Sequence, residues 1–410
     1  MRAASITVDE ANGTESGAAR AQVRDSLQSA LNGVDLIPDI IFAFYGENHD
    51  GTEIARTLHE RHPHAAILGG SSTGGILDQN GLHGPGSIGV LMVSDPQGDF
   101  GVAARPLGDD PATAAQEALH AALLAADCTS ELPDLIWTFQ TPGREEEILC
   151  GLKQIVGDRC PIIGGSSGDS TLSGKWSQIC GGEAMSDAIV VCALFPSQML
   201  GIGFQGTSEP GFANCQELRG AGGRITRIEE GERGRTILEI DGQPAGPLYN
   251  SWIGGALTPL LETGGSIVAE SSMTPLAVLR GGQTGSPRCC LVHPCRLRPD
   301  GALTTFADVI EGEEIYCVRR NPELLIRRAG RVSQQAAQQI AETRPVAALM
   351  TLCGGTYMGS KDKLSGLSET IKEQIGDLPI LACFTFGEQG PVQGVNKHGN
   401  LMISAVLFGS

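Results

Sequence analysis

Two runs of small, hydroxyl-bearing residues recur along the chain and are the first candidates for chemistry. Gly69-Gly70-Ser71-Ser72 returns as Gly164-Gly165-Ser166-Ser167 at an offset of 95 residues. Each run follows a short apolar stretch typical of a buried strand, and glycines and serines at a strand end present backbone N–H groups and hydroxyls that suit a carboxylate or phosphate oxygen. The residues predicted to contact such a ligand are Gly70, Ser71, Ser72, Thr73, Gly165, Ser166 and Ser167. Tight packing of the glycines against a neighbouring strand is the alternative explanation.

A third run occupies the corresponding place near the carboxyl end and carries a carboxylate. After an apolar stretch that ends at Cys383, the chain continues Phe384-Thr385-Phe386-Gly387-Glu388. Hydroxyls and amide N–H groups would bind a carboxylate and Glu388 would bind an ammonium group, so Thr385 and Glu388 complete a predicted site for an amino acid or another small zwitterion. A buried glutamate that is bonded to the backbone of its own turn is the alternative.

One cysteine, at the end of a predicted strand, is a candidate nucleophile. Cys353 ends a predicted strand and precedes two glycines, and His398 is the candidate base that it would need. An inert buried thiol is the alternative. Residues 70–74 fit the G-x-S-x-G pattern of hydrolases, but a loop follows where that motif requires a helix. No catalytic residue is therefore assigned.

The chain also contains candidate ligands for a metal ion or haem. Cys289, His293 and Cys295 form a local group with metal-ligand character, although the paired spacings of zinc sites are missing. These three residues are candidate ligands, and no metal or cofactor is predicted. Haem is an alternative, with an axial ligand among His49, His64, His83 and His398.

The candidate site residues lie in a chain that is predicted to alternate between strands and helices. The first copy of the repeat is predicted to contain strands at 39–45, 65–68 and 87–93 and a helix at 51–61. Corresponding elements are predicted about 95 residues further along the chain. In both copies the Gly-Gly-Ser-Ser run is predicted to be the turn after the second strand. The run 144–147 is predicted to be a solvated helix face. A third copy is predicted to begin with a strand at 315–319.

The predicted fold is therefore α/β, built from three β-α-β-α-β-β-like repeat units with a β-rich insertion. Two units lie in an N-terminal domain and one in a C-terminal domain. The predicted domains are 1–210, with units 1–98 and 99–210, and 211–410, with a β-rich part at 211–314 and the third unit at 315–410.

Composition narrows the classes of function. The 410 residues carry a formal net charge of −18, which argues against nucleic acid and anionic lipid as partners. The longest apolar runs, at 188–195 and 403–408, are far shorter than the roughly 20 residues that cross a bilayer. Twelve cysteines are too sparse for a disulfide scaffold in a chain of this length. We expect a cytoplasmic protein with reduced cysteines and no membrane insertion.

Three segments resemble one known family. Residues 39–76 resemble the start of a FIST N-terminal domain, and residues 237–245, with Tyr249 and Gly254, are similar to the opening of the FIST C-terminal domain. Gly387-Glu388-Gln389-Gly390-Pro391 resembles the closing motif of that domain, with Gln389 where the family has Ile. The family takes its name from F-box and intracellular signal transduction proteins.

The resemblance implies a sensory module that binds small molecules such as amino acids. It also implies a haem-containing, nitric-oxide-responsive subgroup as an alternative. From the residues themselves, an enzyme that acts on a small molecule through a Cys or Ser nucleophile, such as Cys353 or a serine of the repeat, is a further alternative. No residues remain for a kinase, cyclase or F-box, so we expect the output to pass through a separate signalling protein.

Overall fold

The chain folds as a mixture of α-helices and β-sheets, as predicted. The computed structural model describes residues 1–9, 17–206, 221–230, 233–281 and 287–410. Across these ranges, no helix combines the length and the apolar character that spanning a lipid bilayer requires.

The first segment places continuous apolar strands between covering helices. Strand Ile40–Gly46 is buried along its whole length, as expected for a strand covered on both faces. The helix at Gly51–Arg61 begins after Asp50, whose carboxylate accepts a hydrogen bond from the Thr52 N–H. The elements are β1 (Arg2–Asp9), α1 (Gly17–Asn32), β2 (Ile40–Gly46), α2 (Gly51–Arg61), β3 (Ala66–Ser72), β4 (Ile76–Asp78), β5 (Gly81–His83) and β6 (Ser87–Ser94).

The second segment has the same order of elements. Its first helix starts after Asp110, which accepts a hydrogen bond from the Thr113 N–H, and Pro111 follows directly in the first turn. The elements are β7 (Asp99–Pro106), α3 (Pro111–Ala125), β8 (Leu135–Gln140), α4 (Glu145–Val156), β9 (Ile162–Ser166), β10 (Gln178–Cys180), β11 (Glu183–Met185), β12 (Ala188–Phe195) and β13 (Leu200–Gly206).

The third segment contains a nine-stranded sheet with short helices at its edge. Its strands and helices are β14 (Gly222–Ile228), β15 (Arg233–Ile240), β16 (Gln243–Pro244), α5 (Ala245–Trp252), β17 (Gly265–Ser266), α6 (Val268–Ser272), β18 (Leu276–Gly281), β19 (Pro287–Val292), β20 (Pro294–Leu297), β21 (Leu303–Ile310) and β22 (Glu314–Cys317).

The last segment returns to alternating helices and strands. Its elements are α7 (Pro322–Gln339), β23 (Pro345–Cys353), α8 (Gly354–Ser360), α9 (Leu367–Ile375), β24 (Ile380–Thr385), β25 (Glu388–Val392), β26 (Val395–Gly399) and β27 (Met402–Gly409). Short 3₁₀ turns lie at Thr258–Leu260 and Lys361–Lys363.

Three six-stranded sheets form the body of the molecule, and each contains one parallel pair. The first sheet has the order β1-β6-β2-β3-β10-β11, the second β7-β12-β8-β9-β25-β26 and the third β13-β27-β23-β24-β4-β5. The parallel pairs are β2 with β3, β8 with β9 and β23 with β24. The other pairs are antiparallel.

In each of these sheets, two of the six strands form a hairpin that comes from another segment of the chain. We call this arrangement the hairpin exchange. The β4–β5 hairpin pairs with β24 of the third sheet, β10–β11 pairs with β3 of the first and β25–β26 pairs with β9 of the second. The three sheets are thereby joined in a closed cycle.

The main core lies where the inner faces of the three sheets meet. The Phe42 ring of β2 lies 5.7 Å from Trp137 of β8 and 6.2 Å from Phe408 of β27, measured between ring centroids. Buried apolar residues on the outer faces pack against α2, against α3 and α4, and against α7 and α9. Both faces of each sheet are therefore covered. This packing holds the three sheets, and with them the ends of their strands, in fixed positions relative to one another.

One predicted strand lies in a different sheet from the one expected. The strand predicted at 315–319 is β22 (Glu314–Cys317), which pairs with β14 and β18 in the nine-stranded sheet. Strand β13 instead pairs with β27 in the third sheet. Glycines make this close packing feasible, because a Cβ at Gly201 would lie 2.1 Å from the Ala336 carbonyl oxygen of α7.

Candidate functional site

The carboxyl ends of the three parallel strand pairs meet at one place. The Thr73 N–H donates to the Phe384 carbonyl at 2.9 Å, and the Ser166 N–H donates to the Gly387 carbonyl at 2.9 Å. The Gly168 N–H closes the triangle by donating to the Ser71 carbonyl at 3.2 Å. The three runs singled out in the sequence are therefore brought together.

The prediction that the Gly-Gly-Ser-Ser runs are turns is wrong. All of Gly69–Ser72 lies in β3, and residues 164–166 of the second run lie in β9, because hairpins from other segments pair with these strands and keep them extended. Gly70 pairs with Gln178 of β10, and Gly165 pairs with Glu388 of β25. Glu388 thus lies on a separate strand, opposite the second run.

Close packing accounts for the glycines of both runs. A Cβ at Gly69 would lie 1.8 Å from the Ala43 carbonyl oxygen, and one at Gly164 would lie 1.9 Å from that of Thr138. A Cβ at Gly165 would lie 2.6 Å from the Thr385 side chain. These distances are far below van der Waals contact, so the parallel strands could not approach with larger residues. Ligand contact by Gly70 and Gly165 stays a prediction.

Three of the serine hydroxyls hold the strand ends together. Ser71 Oγ accepts a hydrogen bond from the Ser177 N–H at 3.1 Å. Ser72 Oγ accepts from the Phe384 N–H at 2.8 Å and donates to the Gly75 carbonyl. Ser167 Oγ donates to the Gln140 carbonyl at 3.2 Å and accepts from the Gln178 amide. Their hydrogen bonds are made within the protein, and a role in ligand binding remains a prediction.

Thr73 differs from these serines. Its side chain is fully buried, and its Oγ1 has no hydrogen-bond partner in the part of the chain that the structure describes. The hydroxyl faces backbone, since a Cβ at Gly168 or Gly354 would lie 2.2 or 2.8 Å from it. A buried hydroxyl without a partner costs about 1–3 kcal/mol, so this atom calls for an explanation.

Glu388 is fully buried beside Thr385. Thr385 Oγ1 donates to Glu388 Oε1 at 2.8 Å, and the Met402 N–H donates to Glu388 Oε2 at 2.9 Å. Burial raises the pKa of Glu388 to about 8, although these two hydrogen bonds and the charge of Arg320 lower it in part. The carboxyl group is therefore poised to be neutral in the closed site and to ionise beside an added cation.

Arg320 supplies positive charge at the same place. It couples electrostatically to Cys353 and Glu388, and burial lowers its pKa to about 10. Its guanidinium donates to the Ser272 carbonyl at 2.7 Å and to Thr356 Oγ1 at 3.4 Å. The residue as a whole is half-buried although its guanidinium is densely surrounded, and a pKa near 10 keeps it charged at neutral pH. We call Thr73, Arg320, Cys353, Thr385 and Glu388 the central cluster.

The structure does not bring the candidate nucleophile and its candidate base together. Cys353 is 4% exposed, and burial together with the Glu388 charge raises its pKa to about 12. His398 lies beside Gly387, with its ring nitrogens 3.3 Å from Gln389 Nε2 and 3.4 Å from Asn400 Nδ2. Among the described residues no hydrogen bond joins Cys353 to His398, so the thiol lacks the base that nucleophilic attack requires.

An aromatic group covers the central cluster from the side of the nine-stranded sheet. Phe386 stacks on Phe306 of β21 with ring centroids 5.1 Å apart and planes at 24°. Trp176 meets Phe386 edge-on at 6.3 Å, and His293 lies 5.5 Å from Phe306. Phe386 directly follows Thr385 in the chain, so the apolar surface adjoins the polar residues.

His293 and Cys295 are engaged with the backbone rather than arranged around an ion. His293 Nε2 lies 3.3 Å from the Val268 carbonyl, and the Cys295 thiol donates to the Thr304 carbonyl at 3.3 Å. Burial lowers the pKa of His293 to about 3. The side chain of Cys289 lies outside the described residues. The candidate zinc group therefore gains no support from this arrangement.

A second buried carboxylate links a strand end to the nine-stranded sheet. Ser166 Oγ donates to Glu145 Oε1 at 2.7 Å, and the Arg235 guanidinium of β15 contacts Glu145 Oε2 at 2.8 Å. Arg235 also pairs with Glu146 and with Asp308, the latter at 3.1 Å. The prediction of a solvated helix face at 144–147 is wrong for Glu145, which is fully buried because Arg235 compensates its charge.

Glu145, Glu146 and His398 also have the donor set of a cation site. Their ligand atoms lie within 4.8 Å of one another. Burial raises the pKa of Glu145, but Arg235, His398 and the Ser166 hydrogen bond outweigh it and lower that pKa overall. Arg235 supplies one positive charge, which Glu145, Glu146 and Asp308 share.

The histidines considered for haem are engaged in other ways. His49 Nε2 lies 2.9 Å from the Gly86 carbonyl. His83 lies between Asp9 and Asp78, at 3.0 and 2.9 Å, and the Asp78 hydrogen bond is the main reason that its pKa rises to about 9. A protonated histidine held by two carboxylates is not an iron ligand.

A surface cavity next to His64 lies away from the central cluster. It has a volume of about 250 Å³ and is lined by residues 34–38 and 61–65. These residues precede β2 and β3, so the cavity sits at the opposite end of those strands. Small-ligand sites usually measure about 300–1,000 Å³, and a porphyrin needs a large apolar one. The cavity beside His64 is therefore small for a porphyrin, and haem stays an untested alternative from which no role is derived.

Sequence reasoning missed Arg320, Glu145, Arg235 and Phe306. Each depends on a partner far away in the chain, and none lies in a recognisable motif. One signal was present for Arg320, because it follows the apolar strand residues of β22 and precedes a helix capped by Asn321. An arginine at such a junction is a reasonable candidate for a buried ion pair.

Comparison with known proteins gives a family but no characterised relative. The profile of the FIST N domain matches residues 39–243, and that of the FIST C domain matches residues 245–391. No curated protein sequence matches the chain.

Two solved structures show weak similarity to this chain. Cyanuric acid hydrolase from A. caulinodans shares 9% identity with a TM-score of 0.34, and the alignment covers 99% of this chain and 98% of the hydrolase. T. maritima PurL complexed with ATP shares 8% identity with a TM-score of 0.20, over 76% of this chain and 71% of PurL. At these TM-scores neither similarity supports a conclusion about fold or activity.

Proposed function

This chain belongs to the FIST family, and from that premise we propose that it is a sensory module that binds a small zwitterionic or anionic metabolite, such as an amino acid, at the central cluster. FIST domains are associated with signal transduction and with small-ligand sensing. The proposal for this chain concerns the class of ligand and the residues that bind it.

The main support for the proposal is that the central cluster, where three strand ends meet, contains both an acidic side chain, Glu388, and a basic one, Arg320. Each side chain acts electrostatically on the other and on Cys353. Glu388 would accept an ammonium group, and Arg320 would bind a carboxylate as a charge-assisted donor. Thr73 Oγ1, buried without a partner among the described residues, would supply a hydrogen bond. Opposite charges at the two ends of a small site suit a zwitterion.

Binding is favoured over covalent catalysis by the state of the thiol. A cysteine with a pKa raised to about 12 is protonated at neutral pH, and the thiolate is the reactive form. The central cluster therefore has recognition chemistry without an activated nucleophile.

Several features predicted from the sequence accompany this proposal. We propose the domains 1–210 and 211–410 and three β-α-β-α-β-β-like units, which the matching strand orders of the three sheets support. We also propose a cytoplasmic location and a separate signalling protein as the receiver of the output. The net charge of −18 favours partners other than nucleic acid and anionic membranes.

A titration with defined ligands tests the proposal. The full chain is screened by thermal shift with the twenty amino acids and with small mono- and dicarboxylates, and hits are confirmed by calorimetry. A hit at 100 times its dissociation constant adds about 2.7 kcal/mol of stability. Absence of stabilisation by every compound, in a protein shown to be folded by circular dichroism, would contradict the proposal.

Matched variants locate the site. Arg320→Gln is expected to weaken a carboxylate-bearing hit by about tenfold or more, because it removes the charge-assisted contact. Arg319→Gln removes the adjacent exposed arginine and is the control. Equal losses in the two variants would place the ligand elsewhere.

A further inference from the structure

We propose that the metabolite bound at the central cluster carries a planar apolar group, which is received by an aromatic subsite made of Phe386, Phe306, Trp176 and Leu172. This inference rests on the proposed function and names the class of ligand: an aromatic amino acid or a molecule of that shape. It does not follow from the charges of the central cluster, which an aliphatic zwitterion would satisfy equally well.

The subsite and the polar residues are adjacent in the chain and in space. Phe386 lies in the connection between Thr385 and Glu388. A Cβ at Gly168 would lie 2.2 Å from Thr73 Oγ1 and 3.4 Å from the Phe386 ring, so hydroxyl and ring flank the same glycine. A molecule bound through its charged end at the central cluster would therefore present its side group to these rings.

The rings have the geometry that aromatic ligands use. Phe306 and Phe386 stack at 5.1 Å, while Trp176 presents its edge at 6.3 Å and 89°. Offset-stacked and edge-to-face contacts are the preferred arrangements of aromatic groups. An aromatic ring of a ligand that displaced one of these side chains could stack on one protein ring and meet another edge-on.

The loop that carries Trp176 is built to hold an unusual conformation. Residues 167–177 join β9 to β10, whereas 73–75 and 386–387 make the corresponding connections in the other two segments. The buried Asp169 carboxylate accepts hydrogen bonds at 2.9 Å from the N–H groups of Thr171, Ser173 and Lys175. This network fixes the loop before any ligand arrives.

Leu172, within this loop, has a positive φ of 54°. Such a backbone is strained for a leucine and persists only where the surroundings enforce it, which is common at ligand clamps. Leu172 packs against the aromatic group together with Trp176 and Met358. A strained residue directed at an aromatic surface is better explained by a function at that surface than by loop closure alone.

Burial is graded across the subsite. Phe386 and Phe306 are 2% and 8% exposed, whereas Trp176, Leu172 and Met358 are half-buried. The side towards the loop is thus the more exposed side, and the proposed subsite would be entered from there. Phe306 belongs to the nine-stranded sheet and Trp176 to the loop after β9, so the subsite requires both parts of the chain.

Four probes test the inference on the full chain: L-phenylalanine, L-alanine, 3-phenylpropanoate and 2-phenylethylamine, measured by calorimetry and by tryptophan fluorescence. We expect L-phenylalanine to bind about tenfold or more tightly than L-alanine. Phe306→Leu should reduce that ratio to about threefold or less and leave L-alanine unaffected. Phe100→Leu, a half-buried phenylalanine of β7, is the matched control and should keep the ratio. The fluorescence change on binding should be lost in Trp176→Phe.

The outcomes separate the two proposals. Equal affinity for L-phenylalanine and L-alanine would overturn the aromatic subsite and leave the proposed function standing. Equal affinity for L-phenylalanine and for both singly charged phenyl compounds would support the subsite and overturn zwitterion recognition. Equal losses in Phe306→Leu and Phe100→Leu would overturn the subsite. No binding of any of the four probes would overturn the aromatic subsite, whereas the proposed function is decided by the wider screen of amino acids and carboxylates.

Discussion

Glu145 and Arg235 form an ion pair at 2.8 Å that joins helix α4 to the nine-stranded sheet. The other oxygen of Glu145 accepts a hydrogen bond from Ser166, in the second Gly-Gly-Ser-Ser run. One buried carboxylate therefore connects the converging strand ends to the part of the chain that covers them. This side chain and the stack of Phe386 on Phe306 are two direct routes from the strand ends to that sheet.

Replacing Glu145 should destabilise the protein more than replacing a neighbouring glutamate. Glu145→Gln removes the charge that compensates Arg235, and we expect a loss of about 2 kcal/mol, since Glu146 and Asp308 remain as partners. Glu147 is 49% exposed and pairs with Arg144 on the surface. Glu147→Gln should cost about 0.5 kcal/mol or less. Urea unfolding measures both, and equal effects would argue against the link.

Glu388 should make stability fall as pH rises. Its pKa is raised from 4.5 to about 8 in the folded state, so between these values the folded protein holds a proton that the unfolded chain has lost. Stability should therefore decline across this window, by at most about 1.4 kcal/mol per pH unit for one group. Glu388→Gln should flatten the decline, and Glu373→Gln, at an exposed helix position, should not. Parallel pH profiles for all three proteins would contradict the assignment.

His293 should have the opposite effect at acid pH. Burial lowers its pKa from 6.5 to about 3, so between these values the unfolded chain binds a proton that the folded protein does not. Stability should then fall as pH decreases through this window. His293→Gln should lessen the acid sensitivity, whereas the exposed His120→Gln should leave it unchanged. Thermal melts from pH 4 to pH 7 make the comparison, and identical profiles for the two variants would show that His293 is not responsible.

A methyl group at Gly165 should disturb the meeting point of the strands. The added Cβ would lie 2.6 Å from Thr385, and overpacking of this kind costs about 1–3 kcal/mol. Gly84→Ala is the control, because no heavy atom lies within 4 Å of a Cβ there. Thermal denaturation should show a lower midpoint for Gly165→Ala alone. An unchanged midpoint would mean that the strands have more room than the structure gives them.

Cysteine labelling should distinguish Cys353 from an exposed thiol of the same chain. Cys150 is exposed, whereas Cys353 is buried and has a raised pKa. Iodoacetamide at neutral pH should label Cys150 in the native protein and Cys353 only after denaturation, as read by peptide mass spectrometry. Labelling of Cys353 as fast as Cys150 would revive the enzyme hypothesis.

Local patterns predicted the elements well and the contacts between distant segments poorly. The helix predicted at 51–61 is α2 (Gly51–Arg61), because its cap and its apolar stripe are neighbours in sequence. The serine runs were predicted to be turns because the hairpins that extend them come from other segments. Glu145 was predicted to be exposed because its partner, Arg235, belongs to the nine-stranded sheet. Thr385 and Glu388 were predicted only to contact a ligand, and the hydrogen bond that joins them was not predicted.

The hairpin exchange also sets the order in which the molecule can be completed. Strands β4 and β5 leave the ribosome early, yet their partner β24 is formed by residues 380–385. The β4–β5 hairpin of the first segment therefore cannot pair with β24 until nearly the whole chain has been synthesised. A fragment cut near residue 210 would leave both that hairpin and the edge of β9 without partners. Such fragments are poor substitutes for the intact protein, and exposed strand edges would make them prone to aggregation.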